Sequence, residues 1–185
     1  MSVYEQCPIL ENDDFILRLF DFEDLYDLLK VYSDKLALPF FNSDNCDGDN
    51  FYYPTKDSMQ QALEFWKMSY EKHYFVRLSI VDKKANAVIG TVELCVRESQ
   101  DTFNHKAILR VDVRHDYEKE DYLLSIFSLI TPKIKSLLDC NGVITKVPVY
   151  AVDRLLAVQK LGFKKACDYL YGKTGYTYDG YWQVS

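Results

Sequence analysis

The chain has 185 residues, the length of one ordinary domain, and 48% of them are apolar. Its 15 tyrosines and 11 phenylalanines, with only 7 glycines and 5 prolines, are typical of a folded protein and exclude a largely disordered one. A net charge of -6 and a pI near 5.1 argue against general electrostatic binding to nucleic acid or to an anionic membrane. We therefore expect one domain that spans residues 1–185.

The N-terminal sequence MSVYEQCPIL has neither a basic start nor a long apolar run, so it does not resemble a signal peptide. No stretch of 18 apolar residues predicts a membrane span. The cysteines are odd in number, widely spaced and without a C-x-x-C pair: Cys7, Cys46, Cys95, Cys140 and Cys167. This pattern indicates reduced thiols in a cytoplasmic protein, with no disulfide framework and no metal site.

The first half of the chain begins with a strand and two helices. Residues 15–20 (FILRLF) alternate as a strand, and Asp21 is a candidate N-cap for the helix that follows. Apolar residues then recur at helical spacing: Leu25, Leu28, Leu29, Tyr32 and Leu36. Residues 42–54 form a polar loop, whose aspartates only faintly resemble a calcium loop because Pro54 stands where the closing Glu should be. Ser58-Met59-Gln60-Gln61 has the form of a capping box and predicts the start of a second helix.

The next elements are a hairpin and a third strand. Residues 74–81 and 88–96 are rich in β-formers and are separated by the polar turn 82–86, which predicts a hairpin. Residues 107–113 predict another strand. A long helix then follows from about Tyr117, and Pro132 should bend or interrupt it near its end.

Residues 143–150 predict a strand and residues 153–160 a short helix, which Gly162 stops. The tail, residues 163–185, alternates aromatic and turn residues and predicts two antiparallel strands. The order β-α-α-β-β-β-α-β-α-β-β combines hairpins with connections through helices. It predicts a mixed α/β fold, a sheet of six or seven strands with helices on both faces.

This order resembles the Gcn5-related N-acetyltransferase (GNAT) superfamily over roughly residues 14–184. Residues 82–94 (DKKANAVIGTVEL) are similar to the family's second hairpin, and residues 157–163 (AVQKLGF) to its late helix, which ends in Leu-Gly-Phe. Residues 110–123 (RVDVRHDYEKEDYL) stand where the family places its acetyl-coenzyme-A strand and loop. The resemblance implies an acyl-CoA N-acyltransferase-like fold and an amine acceptor that is a small molecule or a peptide. It also implies that the strands predicted at residues 107–113 and 143–150 are adjacent and diverge at one end to admit the coenzyme.

The family's loop, Gln/Arg-x-x-Gly-x-Gly/Ala, points amide N–H groups at the coenzyme's pyrophosphate. The resemblance assigns coenzyme contacts to Val111, Val113, Lys119 and Tyr122, and places three further residues at the motif positions: Glu118 for Gln/Arg, Asp121 for the first glycine and Leu123 for the second small residue. All three depart from the motif. Residues 116–121 carry four carboxylates, which either repel a pyrophosphate or simply stabilise the start of a helix.

The late helix also departs from the family pattern. The family's usual Asn, which contacts the coenzyme, falls at Ala151, and the Tyr that often protonates the thiolate falls at Val158. The residues that specify the fold are thus retained while those that carry the chemistry are not. This pattern is typical of a degenerate member with weak or lost activity.

The strand 107–113 has one charged side. Arg110, Asp112 and Arg114 point one way by strand alternation. Asp112 is the candidate catalytic residue, as a general base or acceptor ligand, with the two arginines holding an anion. The alternative is a cluster of cross-strand ion pairs.

Other candidate sites are weaker. His73, His105 and His115 are dispersed and predict no metal site, and the tail aromatics (Tyr169, Tyr171, Tyr176, Tyr178, Tyr181 and Trp182) fit sheet packing or a homo-oligomer contact better than ligand stacking. Two functions therefore stay open: an N-acetyltransferase that uses acetyl-CoA or another acyl-CoA, and a non-catalytic ligand-binding or regulatory module. An assembly role based on the aromatic tail is a third.

Overall fold

A β-sheet of eight strands forms the centre of the protein, seen here in a computed structural model that describes residues 2–185. In chain order the strands are β1 (Leu10–Glu11), β2 (Phe15–Leu19), β3 (Val76–Asp82), β4 (Ala87–Val96), β5 (Ala107–Val113), β6 (Val143–Lys146), β7 (Lys164–Lys165), β8 (Leu170–Tyr171), β9 (Thr177–Tyr178) and β10 (Tyr181–Val184). The main sheet has the order β1-β2-β3-β4-β5-β6-β10-β7, and β8 and β9 pair separately. Neighbours are antiparallel except β5 and β6, which are parallel.

Five helices cover the sheet: α1 (Leu25–Tyr32), α2 (Lys56–Glu71), α3 (Glu120–Ile130), α4 (Ile134–Leu138) and α5 (Val152–Lys160). On one face, strand residues such as Val92 and Val111 share a buried cluster with Leu123 of α3. On the other face, Leu28 of α1 and Trp66 of α2 belong to a second buried cluster. The predicted mixed sheet with helices on both faces is confirmed, although it has eight strands instead of six or seven.

The predicted starts and ends of the first two helices need correction. Helix α1 ends at Tyr32, because the Asp34 carboxylate accepts the N–H of Leu36 at 2.9 Å and holds the chain in a turn. Asp21 caps a short 3-10 turn that precedes α1. The cap of α2 is Thr55, whose hydroxyl accepts the N–H of Ser58 at 3.1 Å. Ser58 therefore lies inside the helix and is not its first cap.

The hairpin β3–β4 and the strand β5 are confirmed. Gly90 of β4 has a packing reason to be glycine, because a Cβ there would lie 2.2 Å from the backbone oxygen of Asp112. The Ile-Gly strand therefore specifies close contact between two neighbouring backbones.

The second half of the chain is more interrupted than the sequence indicates. A 3-10 turn at His115–Tyr117 delays the start of α3 to Glu120, and a second at Thr131–Lys133, which contains Pro132, separates α3 from α4. Strand β6 ends at Lys146 and not at residue 150, since Pro148 has no N–H to donate to a ladder. The tail forms four short strands instead of two.

Candidate functional site

Strands β5 and β6 separate toward their carboxyl ends. Their ladder pairs only Ala107 with Val143 and Ile108 with Ile144, whereas β6 pairs with β10 over its full length. Residues 109–113 of β5 therefore continue without a ladder partner in β6. The prediction that these two strands are adjacent and diverge at one end is confirmed.

A row of three charged side chains crosses the sheet on the face covered by α1 and α2. Arg77 of β3, Glu93 of β4 and Arg110 of β5 are direct neighbours in register. Both guanidinium groups donate to the Glu93 carboxylate, and all three side chains are buried. Burial alone would raise the pKa of Glu93, but the two arginines outweigh it and hold this pKa below its usual value. For Arg110, the structure matches the cross-strand ion-pair alternative.

Asp112 lies in the next row of the same face and is 1% exposed. Its Oδ2 accepts the hydroxyl of Tyr32 at 3.0 Å and lies 3.5 Å from Nη1 of Arg77. Burial raises the pKa of Asp112 to about 6, although Arg77 opposes the shift. Its Oδ1 is buried without a hydrogen-bond partner among residues 2–185. Arg114 instead pairs with Asp116 at 2.6 Å beyond the end of the strand, so it is not available to hold an anion beside Arg110.

A cavity of about 870 Å³ opens next to the charged row. Its floor includes Arg77, Glu93 and Arg110, and α2 contributes Trp66 to one wall. Residues 45–53, residues 95–101, the β8 end of the tail, Phe65 of α2 and residues 74–75 before β3 also line it. A volume of this size is in the range of small-molecule sites.

The segment between β5 and α3, where a coenzyme loop is expected, folds back on its own backbone. The N–H of Glu118 donates to the carbonyl of His115 at 3.1 Å, and the N–H of Lys119 donates to that of Tyr117 at 2.8 Å. Lys119 is the N-cap of α3. Two amides that would be expected to face a pyrophosphate are therefore used inside the protein.

A buried ion pair between Glu118 and Arg154 connects the segment between β5 and α3 to helix α5. Nε of Arg154 donates to Oε1 at 2.7 Å and Nη2 to Oε2 at 2.6 Å, the bidentate arrangement that makes the strongest such pairs. Arg154 is 2% exposed and Glu118 9%. Burial alone would lower the pKa of Arg154, but Glu118 outweighs it and holds this pKa above its usual value. Glu118 follows β5 and Arg154 follows β6, so the pair joins the segments that leave the diverging strands.

These residues do not fit a coenzyme pyrophosphate. Glu118 is committed to Arg154, and Leu123 is fully buried in the core, so it does not border an open loop. The carboxylates of Glu120 and Asp121 lie in the first turn of α3, where they add negative charge beside the helix N-terminus that a phosphate would approach.

The other residues assigned through the family resemblance have mixed surroundings. Val111, Val113 and Ala151 are buried in the core cluster beneath α3 and α5. Asp121 is exposed, and Tyr122 is 40% exposed. The structure therefore brings Glu118 and Ala151 near the same strand ends, with the amides of Glu118 and Lys119 bonded inside the protein.

Sequence reasoning missed Arg154, although a signal for it was present. Arg154, Ala157 and Val158 are the buried residues of α5 and follow helical spacing. An arginine on the apolar side of a short helix requires a buried partner, and Glu118 is that partner. The contribution of Tyr32, a residue expected only to pack, was also not foreseen.

The remaining candidates form no further centre among residues 2–185. All five cysteines are free, and no group of three or more His, Cys, Asp or Glu side chains could hold a metal ion. His115 contacts Asp34, and His105 contacts Glu98. None of the helices in this part of the chain has the length and hydropathy that a membrane span requires.

Comparison with known proteins places the fold. No family model matches the sequence, and no curated protein matches it. Among solved structures, a GNAT-family acetyltransferase from Bacillus anthracis is similar with a TM-score of 0.68 at 9% identity, covering 96% of this chain and 98% of its own. A putative ribosomal-protein-serine acetyltransferase from Vibrio cholerae has a TM-score of 0.69 at 10% identity, covering 100% and 99%.

A third similar structure carries the coenzyme. It is the ribosomal L7/L12 α-N-protein acetyltransferase RimL in complex with coenzyme A, with a TM-score of 0.66 at 13% identity, covering 95% of this chain and 94% of its own. Similarity at sequence identities this low supports a shared fold and does not establish a shared activity. The chain has the fold of the GNAT-family acetyltransferases, as the resemblance in its sequence predicts.

Proposed function

We propose that this chain is a ligand-binding protein that uses the acetyltransferase fold without using coenzyme A. The observation that carries this proposal is the buried, bidentate ion pair between Glu118 and Arg154. It lies in the segment where the family receives the pyrophosphate. Binding there would require the pair to be separated or left beside a phosphate, and a buried charge that loses its partner costs about 3–5 kcal/mol.

The ligand site of this proposal is the cavity of about 870 Å³ next to Arg77, Glu93 and Arg110. The cavity does not include Glu118 or Arg154, so closure of the coenzyme region leaves it open. A protein that has lost the coenzyme can therefore still bind a small molecule or a peptide end.

Calorimetric titration with acetyl-CoA at moderate salt tests the proposal. We expect a dissociation constant no tighter than about 0.1 mM, which corresponds to about -5.5 kcal/mol. The variant Glu120→Gln serves as a control for charge alone. It removes a carboxylate from the first turn of α3 and leaves the buried pair of Glu118 and Arg154 in place. Binding of acetyl-CoA at low-micromolar concentration by the parent chain would overturn the proposal.

The second candidate is a CoA-dependent N-acetyltransferase with an amine acceptor. Two observations favour it: the divergence of β5 from β6, and the buried Asp112, whose raised pKa of about 6 suits a general base near neutral pH. Acetyl-CoA would supply the acetyl group and release the thiol of coenzyme A, and Asp112 would take the amine proton.

A thiol-release assay with acetyl-CoA and a panel of amines distinguishes the two candidates. The first candidate predicts no release above the rate without protein. Turnover that Asp112→Asn abolishes, and that the exposed control Asp168→Asn leaves unchanged, would establish the second candidate instead.

A further inference from the structure

Three exposed aromatic side chains from separate parts of the chain converge on the cavity. They are Phe65 on α2, Tyr74 just before β3 and Tyr171 on β8, exposed to 52%, 60% and 57%. Large apolar side chains left in solvent around one concave site mark a binding surface, because packing does not require them there. Each ring is more than half exposed, so their convergence points to a ligand that stacks on them.

The floor of the cavity contains further aromatic rings, which already contact the guanidinium group of Arg77. The guanidinium carbon of Arg77 lies 4.3 Å from the ring centroid of Trp66 and 5.2 Å from that of Phe51. Arg77 and Arg110 share the Glu93 carboxylate, one at each oxygen, and Arg77 also lies 3.5 Å from Asp112. The carboxylate at the floor is thus already paired with two cations, so an uncharged ring fits better there than a further cation.

The rim has the opposite charge. Asp47, Asp49 and Glu98 line it, whereas Lys173 is the only cationic rim group of the described residues outside an ion pair. The other rim cation, Arg97, is paired with Asp101. Glu98 also contacts His105 at 3.3 Å, which leaves the carboxylates of Asp47 and Asp49 against Lys173. This balance favours a positively charged group at the mouth of the cavity.

The loop that carries two of these carboxylates is held in a strained conformation. Asp47 has φ 54° and Phe51 has φ 61°, and positive φ at a bulky residue such as Phe51 is rare. The Asp49 carboxylate accepts the N–H of Phe51 at 2.7 Å and the hydroxyl of Tyr53 at 2.6 Å. These contacts fix the Phe51 ring over Arg77 and keep Asp49 at the rim.

We propose that the cavity binds an aromatic amine, with its ring between the exposed aromatic side chains and its protonated amine at the acidic rim. This inference rests on the proposed function only in taking the same cavity as the ligand site. It adds the chemical class of the ligand. A carboxylate in place of the amine meets like charge at the rim, and a polyamine without a ring leaves the aromatic walls unused.

Calorimetry with three probes tests the ligand class. Tryptamine should bind at least tenfold more tightly than indole-3-propionate, which has a similar ring and the opposite charge, and at least tenfold more tightly than spermidine, which has charge and no ring. Equal binding of tryptamine and indole-3-propionate would overturn the role of the rim. Stronger binding of spermidine would overturn the role of the aromatic rings, and failure of all three probes up to 5 mM would overturn the class.

Variants locate the binding. Tyr171→Ser should weaken tryptamine binding at least fivefold, while Tyr169→Ser, an equally exposed ring outside the cavity, should leave it unchanged. Asp47→Asn should weaken it about threefold, and Asp168→Asn should not. All four side chains are exposed, so melting curves should match the parent. Equal losses in variant and control would place the binding elsewhere and overturn the inference, whereas the acetyl-CoA titration tests the proposed function independently.

Discussion

Replacing Glu118 by leucine removes one partner of the buried ion pair and leaves the other in place. Arg154 is 2% exposed and donates two hydrogen bonds to Glu118. Its charge would then be buried without a partner, which costs about 3–5 kcal/mol. For a chain of this size each kcal/mol lowers the melting temperature by about 2–4 °C, so we expect Glu118→Leu to melt about 6–20 °C below the parent.

The double variant Glu118→Leu with Arg154→Met separates the penalty for an unpaired arginine from the net contribution of the ion pair to the free energy of unfolding. Replacement of both charges by apolar side chains of similar size is often neutral or stabilising. We therefore expect the double variant to recover most of the stability that Glu118→Leu loses. Glu120→Gln is the control, because it breaks the more exposed pair between Glu120 of α3 and Lys160 of α5 and should change the melting temperature little.

Urea denaturation followed by circular dichroism measures these differences in the free energy of unfolding. The comparison requires that the slope of this free energy against urea concentration is the same for the parent and the three variants. If the free energy of unfolding of Glu118→Leu agrees with that of the parent within about 0.5 kcal/mol, Arg154 is not a buried charge that needs Glu118, since an unpaired buried arginine destabilises by more than that. A double variant no more stable than Glu118→Leu would show that the two side chains do not interact.

Further predictions concern the sheet and the helix caps. Because the pKa of Asp112 is raised from 3.8 to about 6, the folded chain binds this proton more tightly than the unfolded chain, and ionisation destabilises the fold as the pH rises from 4 to 7. The stability of Asp112→Asn relative to the parent should therefore increase by about 2 kcal/mol over that range, and a flat difference between the two urea curves would contradict the buried carboxyl. Gly90→Ala should destabilise the chain by more than about 2 kcal/mol, since its Cβ would overlap the backbone of β5, and an unchanged urea midpoint would contradict that contact. Thr55→Ala should cost about 1 kcal/mol as a lost N-cap, which thermal melting of the two proteins checks.

The fold could be predicted from the sequence because its signals are local and repeated. Alternation in the β3–β4 hairpin and in β5, and the Leu-Gly-Phe that ends α5, are short-range patterns that the structure retains. The errors lie where a neighbour decides the local structure. Ser58 matches a cap on its own, but Thr55 precedes it and takes that role. In the tail, Gly172 and Gly175 separate β8 from β9, and Gly180 separates β9 from β10.

The site was predictable only in part, because its contacts are long-range. Strand alternation places Arg110 and Asp112 on one side of β5, and the structure agrees. Alternation cannot reveal that Glu93 is the partner of Arg110, which depends on the register between β4 and β5. The pairing of Glu118 with Arg154, 36 residues apart, depends on the packing of α5 against α3.

One NMR titration tests whether the protein's own ion pair occupies the coenzyme region. It also tests whether the cavity on the other face of the sheet stays open. The amide signals of Glu118 and Lys119, and those of residues 45–53 at the cavity, are followed in ¹H–¹⁵N spectra during separate additions of acetyl-CoA and tryptamine. We expect tryptamine to shift the cavity signals. We expect 1 mM acetyl-CoA to leave the signals of both loop amides in place, because their N–H groups stay bonded to His115 and Tyr117. Saturating shifts of Glu118 and Lys119 at micromolar acetyl-CoA would contradict this expectation.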